Sequence, residues 1–433
     1  MAFGSITKST VTRRLLIILV IVEIIFIIIG LMAIEVSHTE SLRFHDNFVQ
    51  TFPHREWRNK TRKRILAWTS FWFTDYWCDM SIKGEPGRCN DSTYPHPKNG
   101  HGYGRLTQPF ATELRSHHAA DSFSKYAQRC ELTRDKSRVA ESDAVVFHFP
   151  DVLPWTTLPP RTPDQVWVLY NLEPPPRQIW YTGGTPWRNI YNWTMSYRKD
   201  STIFVRPYHG YEPLSEEEKI KVKQENKNFA EGRYKIAIAT VSDCYDDARR
   251  YKYTHQLMKY IDIDIYGSCG NKECPQWKPE CENIHKQYKF QLAFENAYCK
   301  DYITEKYWEA HMRKIIPVVN WKTDPKGLVF PNSYINIWDF PDMKSVAEYM
   351  IKVANNDTLY NSYFDWTKEF KMNCHCGCHW CVLCDALFNS SIPAQVVIDP
   401  MQWAVSMDTC KMWSVATFLW RIVERLLFDI GLA

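Results

Sequence analysis

Residues 294–306 read FENAYCKDYITEK and crowd acid, amide, hydroxyl and basic side chains into one short stretch. Glu295, Asn296, Lys300, Asp301, Tyr302, Thr304, Glu305 and Lys306 all fall there. Groups of these types can hold a polyanion and its sugar, with a lysine as the point charge against a phosphate. Directly behind come YWEAHMRK, a helical pattern, and the apolar IIPVV. A polar loop that opens a helix and leads to a buried strand is where parallel α/β sheets hold nucleotides. The helix N-terminus there offers unpaired amides and a partial positive charge. The competing explanation is a capped amphipathic helix, with Thr304 and the acids serving only its N-terminus. Pattern alone leaves both open.

A second chemical candidate follows the apolar run QVWVLYNL at 165–172, which ends at Glu173 and three prolines. The prolines stop the strand and leave a carboxylate at its carboxyl end, where open α/β sheets carry their chemistry. The bland alternative is a solvated loop acid.

FENAYCKDYITEK followed by IPVV resembles the signature of the α1,3-fucosyltransferases, in which an FEN…C.DYVTEK segment binds GDP-fucose. NWTMSYRKDSTIFVRPY at 192–208 is similar to that family's NWT.SYR.DSDIF.PYG segment, with Thr202 where an acid is common and an extra Arg206. The likeness covers most of residues 62–384. It implies that Glu173 is the general base, with Tyr170 in support. Counting back seven positions from Leu257 puts Arg250 on the family's phosphate-binding arginine, with Arg249 as its neighbour. Lys306 joins Arg250 against the diphosphate, and Asn296, Tyr302 and Glu305 match positions that bind ribose or fucose.

The implied fold is α/β, two Rossmann-like domains of the GT-B type facing a cleft. The implied reaction moves L-fucose from GDP-β-L-fucose to a GlcNAc-containing glycan acceptor, on the N-glycan core or an antenna, with inversion. No cofactor is required, and a divalent metal is at most stimulatory. The D-x-D pair Asp262 and Asp264 is structural on the same resemblance. Two alternatives stand beside this: another nucleotide sugar as donor, or an inactive membrane-anchored glycan-binding protein.

The rest of the chain must position these groups. Its 433 residues suffice for two domains, and 45% hydrophobic with 15% aromatic residues suits a substantial core. A net charge of +4 without a dense basic run argues against nucleic acid as a partner. Residues 15–34, LLIILVIVEIIFIIIGLMAI, make a helix of about 30 Å, the thickness of a bilayer core. Lys8, Arg13 and Arg14 precede it, so the N-terminus is expected in the cytosol. The expectation is a single-pass type II protein of the Golgi membrane with a luminal catalytic part.

Fourteen cysteines suit an oxidising lumen, as do sequons at Asn59, Asn90, Asn192, Asn356 and Asn389. Cys374, Cys376, Cys378, Cys381 and Cys384, with His375 and His379, offer zinc-ligand spacing. The compartment and the resemblance favour disulfides there. The organisation expected is a cytosolic tail (1–14), the transmembrane helix (15–34), a stem (35–63) and an acceptor domain (64–211). A linker (212–233), a donor domain (234–370) and a Cys-rich segment with a helical tail (371–433) follow. That tail is expected to pack on the catalytic part, with a homodimer or membrane-surface contact as the alternative.

Overall fold

The computed structural model describes residues 49–52, 60–69, 128–152, 156–174, 188–205, 210–225, 227–244, 246, 248–274, 279–373, 379–400, 403 and 410. All of them belong to the unit Val49–Lys411. The expected membrane span, Asn59, Asn90, Cys374, His375, Cys376, Cys378 and nearly all of the 401–433 tail lie outside these residues. Among the described residues no helix is long and apolar enough to cross a membrane.

The first sheet holds β2 (Lys63–Ala67), β3 (Cys130–Thr133), β4 (Ala144–His148), β5 (Val166–Asn171), β6 (Trp193–Ser196) and β7 (Ile203–Phe204). Their order is β3-β2-β4-β5-β6-β7, with every pairing parallel. Strands covered on both faces need no polar alternation, which is why β4 and β5 read as unbroken buried runs. One face, with Val166, Val168, Tyr170, Trp193 and Met195, packs against α7 (His379–Phe388) through Trp380, Leu383 and Leu387. The disulfide Cys130–Cys384 pins that helix to the sheet.

The second sheet is built from β9 (Lys235–Thr240), β10 (Ile263–Tyr266), β11 (Tyr288–Leu292), β12 (Ile316–Val319) and β13 (Ile335–Asn336). The order is β10-β9-β11-β12-β13, again parallel throughout. Its core joins Phe290, Ile316 and Val318 to Tyr307 and Trp308 of α4 (Glu305–Met312) and to α5 (Met343–Ala354). In α5 the buried Val346, Ala347, Met350, Val353 and Ala354 fall at helical spacing, and Asp342 caps the start by accepting from the Ser345 amide. Also on this side are α2 (Arg250–Leu257), α3 (Pro279–His285) and α6 (Asp357–Ser362).

Between the sheets β8 (Gly210–Pro213) pairs antiparallel with β14 (Phe370–Asn373), so the two chain crossings run side by side. The charged run expected as a linker contains α1 (Glu216–Gln224), begun by a capping box between Ser215 and Glu218. Lys371, followed by the Ser215 cap, holds the Glu218 carboxyl down at about 2.

The stem drawn over 35–63 contains β1 (Val49–Phe52), which pairs antiparallel with β15 (Ala394–Val397), because an unpaired strand beside a matching edge leaves backbone groups unsatisfied. The segment drawn as a separate 371–433 unit instead supplies α7 and β15 to the first-sheet side.

Candidate active site

Glu173 stands two residues beyond β5, 5% exposed, and its backbone amide donates to Asn171 Oδ1 at 3.0 Å. That short-range bond fixes the carboxylate at the strand's carboxyl end. Tyr170 occupies the opposite face, as strand alternation requires. It is buried in the α7 interface, its hydroxyl 2.7 Å from His379 Nδ1 and its ring against Trp380. The supporting role expected for Tyr170 beside Glu173 is therefore corrected to a core role. His148, at the end of β4, is buried 2.6 Å from Asp151, and burial holds its pKa below the ordinary value.

In the second sheet the signature loop runs from β11 to α4. Thr304 is the N-cap residue of α4, yet its side chain makes no cap hydrogen bond. Its hydroxyl donates instead to both oxygens of Glu295, at 3.0 and 2.8 Å, and its amide donates to Glu295 Oε1 at 2.7 Å. Glu295 is 1% exposed, and burial pushes its pKa up. Lys306 Nζ reaches Thr304 Oγ1 at 2.8 Å, Glu305 Oε1 at 2.9 Å and Glu295 Oε2 at 3.4 Å. Burial lowers the affinity of Lys306 for its proton, but Glu295 and Glu305 outweigh it, so its pKa is raised and the ammonium stays charged. Glu305 moves the other way: Lys306 more than offsets burial and holds its pKa down.

Arg250 is the first residue of α2 and 5% exposed. Its Nε donates to Asp246 Oδ2 at 2.8 Å, its backbone amide to Asp246 Oδ1 at 3.2 Å, and its Nη2 to the Asp243 carbonyl at 3.3 Å. Arg249 precedes it in the left-handed region (φ 54°), which sets the helix start at Arg250. Arg250 lies near enough to Lys306 to depress that lysine's proton affinity, so two cations share one neighbourhood. The Asn296 carbonyl accepts from the Ala248 amide at 3.1 Å, which ties the signature loop to the turn before α2. Asn296 Oδ1 is buried with no hydrogen-bond partner among the described residues. A buried amide oxygen in that state lacks a donor that a ligand hydroxyl could supply.

Tyr197, in the loop after β6, connects the two sides. Its ring meets Tyr302 edge-on at 5.0 Å, and Glu173 is close enough to add to the upward shift that burial imposes on its phenol. The Lys199 amide donates to Asp301 Oδ2 at 3.0 Å, and Cys299 is disulfide-bonded to Cys410. The fold thus gathers Arg250, Asn296, Glu305 and Lys306 around one loop, joins Tyr302 to Tyr197, and leaves Tyr170 out. Asp246, Glu295 and Tyr197 were not singled out from sequence. Asp246 was detectable as an acid four positions before Arg250, whereas nothing local marks Tyr197.

The remaining candidates divide. Asp264 binds Lys235, Lys272 and Tyr288, so its carboxylate is engaged in the sheet's own ion pairs. Of the Cys/His cluster, Cys384 is bonded to Cys130, Cys381 is disulfide-bonded, and His379 holds Tyr170. Among the sequons, Asn192 donates from Nδ2 to the Gln395 carbonyl at 3.0 Å and accepts at Oδ1 from the Trp167 amide. Asn356 and Asn389 use only their oxygens, as a helix cap and in a turn with Ser391.

Comparison with known proteins agrees with this arrangement. Residues 60–209 match the family model described as fucosyltransferase, N-terminal, and residues 230–403 match glycosyltransferase family 10 (fucosyltransferase) C-term. Glycoprotein 3-alpha-L-fucosyltransferase A of Drosophila melanogaster is 36% identical over 269 residues, 60% of this chain and 51% of that protein, so the chain spans about half its length. Alpha-(1,3)-fucosyltransferase C of the same organism is 30% identical over 317 residues, 66% of this chain and 71% of that one. A crystal structure of an alpha1,3-fucosyltransferase with GDP-fucose is loosely similar, with a TM-score of 0.40 and 14% identity over 72% of this chain and 84% of that one. The two family models in tandem, and a relative matched over more than two thirds of its length, make this chain a member of the family 10 glycosyltransferases, the fucosyltransferases.

Proposed function

We propose that the chain transfers L-fucose from GDP-β-L-fucose to the 3-hydroxyl of GlcNAc in N-glycans or related glycoconjugates, with inversion. Its two lobes are read as Rossmann-like, of the GT-B type, with the site in the cleft between them. Glu173 takes the proton of the acceptor hydroxyl while the new glycosidic bond forms and the bond to GDP breaks. Negative charge grows on the departing diphosphate, and Arg250 and Lys306 neutralise it. With two side-chain cations in that role, the reaction as proposed routes no step through a metal. Asn296, Tyr302 and Glu305 orient the ribose and fucose. The protein is further proposed to be a type II resident of the Golgi membrane, held by residues 15–34.

One observation carries this choice over a merely capped helix. Thr304 turns its hydroxyl to Glu295 rather than to the amides of α4, so the helix start lacks its side-chain cap where Lys306 and Arg250 converge. A phosphate there would meet a positive helix end and two cations.

The test is Glu173→Gln in purified protein with GDP-fucose and a defined N-glycan. Turnover should fall by about 10²–10⁴-fold, the usual worth of a general base, while GDP affinity by calorimetry stays within a factor of about two. Near-normal turnover would remove Glu173 from the mechanism. Lys306→Ala should weaken GDP binding by about 10- to 100-fold, as loss of a charge-assisted bond implies, and unchanged GDP affinity would refute its phosphate role.

A further inference from the structure

A second cavity, of about 540 Å³, opens beside α6 on the second-sheet side, and none of the catalytic candidates lines it. Five aromatic rings wall it: Tyr334, Tyr349, Tyr363, Trp366 and Phe370. Asp365 and Glu369 stand exposed on its rim, and no lysine or arginine is among its lining residues. Trp366 is 4% exposed, and its Nε1–H has no hydrogen-bond partner among the described residues. The volume suits a small ligand. The two acids are ion-paired, Asp365 with Lys368 at 2.5 Å and Glu369 with Lys219 at 3.4 Å, so the rim is close to neutral and suits a neutral ligand better than a phosphate or a nucleotide. Tyrosine rings with hydroxyl edges, beside carboxylate oxygens that can still accept, fit a neutral ring that is apolar on its faces and hydroxylated at its edge.

We infer that this cavity is a carbohydrate subsite, separate from the donor site, that takes a pyranose ring of a glycan. The chain itself can bring one there. Asn356 is the N-cap of α6, one turn before Leu359 and at the start of the short helix that ends at Tyr363, and both Leu359 and Tyr363 line the cavity, so the sequon lies on an element of the cavity wall. The cap uses Asn356 Oδ1, accepting from the Leu359 amide at 3.0 Å, which leaves Nδ2 to carry a sugar without loss of the cap. The ring is supplied either by this attached glycan or by the glycan of a second glycoprotein, and the chemistry of recognition is the same.

The experiment uses the full chain from a glycosylating host, probed with N,N′-diacetylchitobiose by saturation-transfer NMR and calorimetry. Wild type, Asn356→Gln, Tyr363→Ala in each background, and the surface pair Asp365→Asn/Glu369→Gln are compared. Turnover on a short GlcNAc acceptor serves as the folding control for all of them and should be unchanged. Binding at the acceptor site persists in every variant, so the informative signal is the part lost with Tyr363 or with the acid pair. If the Asn356→Gln chain gains a binding component that Tyr363→Ala weakens at least tenfold, the attached glycan is the native occupant. If wild type already has that component, the occupant comes from another molecule. If neither background has a component sensitive to Tyr363 or to the acid pair, the subsite does not exist.

Discussion

At the scale of single residues, the side chains proposed to touch the donor depend on buried partners that do not. Asp246 is completely enclosed by its side chain's surroundings and grips Arg250 through both Nε and the backbone amide. It is a positioning residue, and Asp246→Asn should reduce GDP affinity about tenfold, the worth of one well-aligned bond to a charged group. The turnover of saturated enzyme should change less, and Arg250→Lys should not rescue it, because the fork geometry is lost. Equal GDP affinity in Asp246→Asn and wild type would discard this role. Thr304→Val leaves buried Glu295 without the hydroxyl and should destabilise the fold by about 1–3 kcal/mol in urea titration. Helix content should be unchanged, since Thr304 does not cap α4. The side chains in this loop could be read from sequence, but their pairing could not. Thr304 and Glu295 are nine positions apart, and whether the hydroxyl serves the helix or the acid depends on how the loop returns over β11.

At the scale of elements, periodicity located most strands and helices because each satisfies its backbone locally and buries one predictable face. The apolar run at 165–172 corresponds to β5, YWEAHMRK to α4 and IIPVV to β12. The start of α2 is set by Asp246 and a left-handed Arg249, not by a run of helix formers. In α3, His285 is buried, its Nδ1 2.9 Å from the Cys281 carbonyl. Burial first, then the charge of Arg313, lowers its pKa to about 4. An unfolded chain would protonate this histidine at its ordinary 6.5, so it draws the chain towards unfolding as pH falls from 6.5 to 4 and has no effect above 6.5. Stability measured by urea titration should decline over that window by up to about 3 kcal/mol from this group. His285→Gln should flatten the decline, and a variant with the same pH profile as wild type would contradict the assignment.

At the scale of the whole molecule, covalent and main-chain ties bring the last part of the described chain back onto earlier elements. Cys130 and Cys384 are 254 positions apart, and Cys299 and Cys410 are 111 apart. Each closes a long loop, so replacing the Cys130–Cys384 pair by serines should cost about 2–4 kcal/mol. The loss should appear as a lower unfolding temperature in calorimetry, with GDP affinity preserved because the bond ties α7 to the first sheet, whereas the 294–306 loop belongs to the second. An unchanged unfolding temperature would rule out a stabilising role for the bond.

The sequence by itself determined the α/β alternation, the carboxylate that ends β5, and the donor loop with its basic residues. Each of these is written in neighbouring positions, where helix and strand spacing and the helix dipole act. The tertiary structure decided which groups are partners: Thr304 with Glu295, Tyr170 with His379, Asn192 with Gln395, and Cys384 with Cys130 rather than a metal. Such choices depend on which distant segments burial brings within a few ångströms, and burial is a property of the assembled chain, not of any stretch of it.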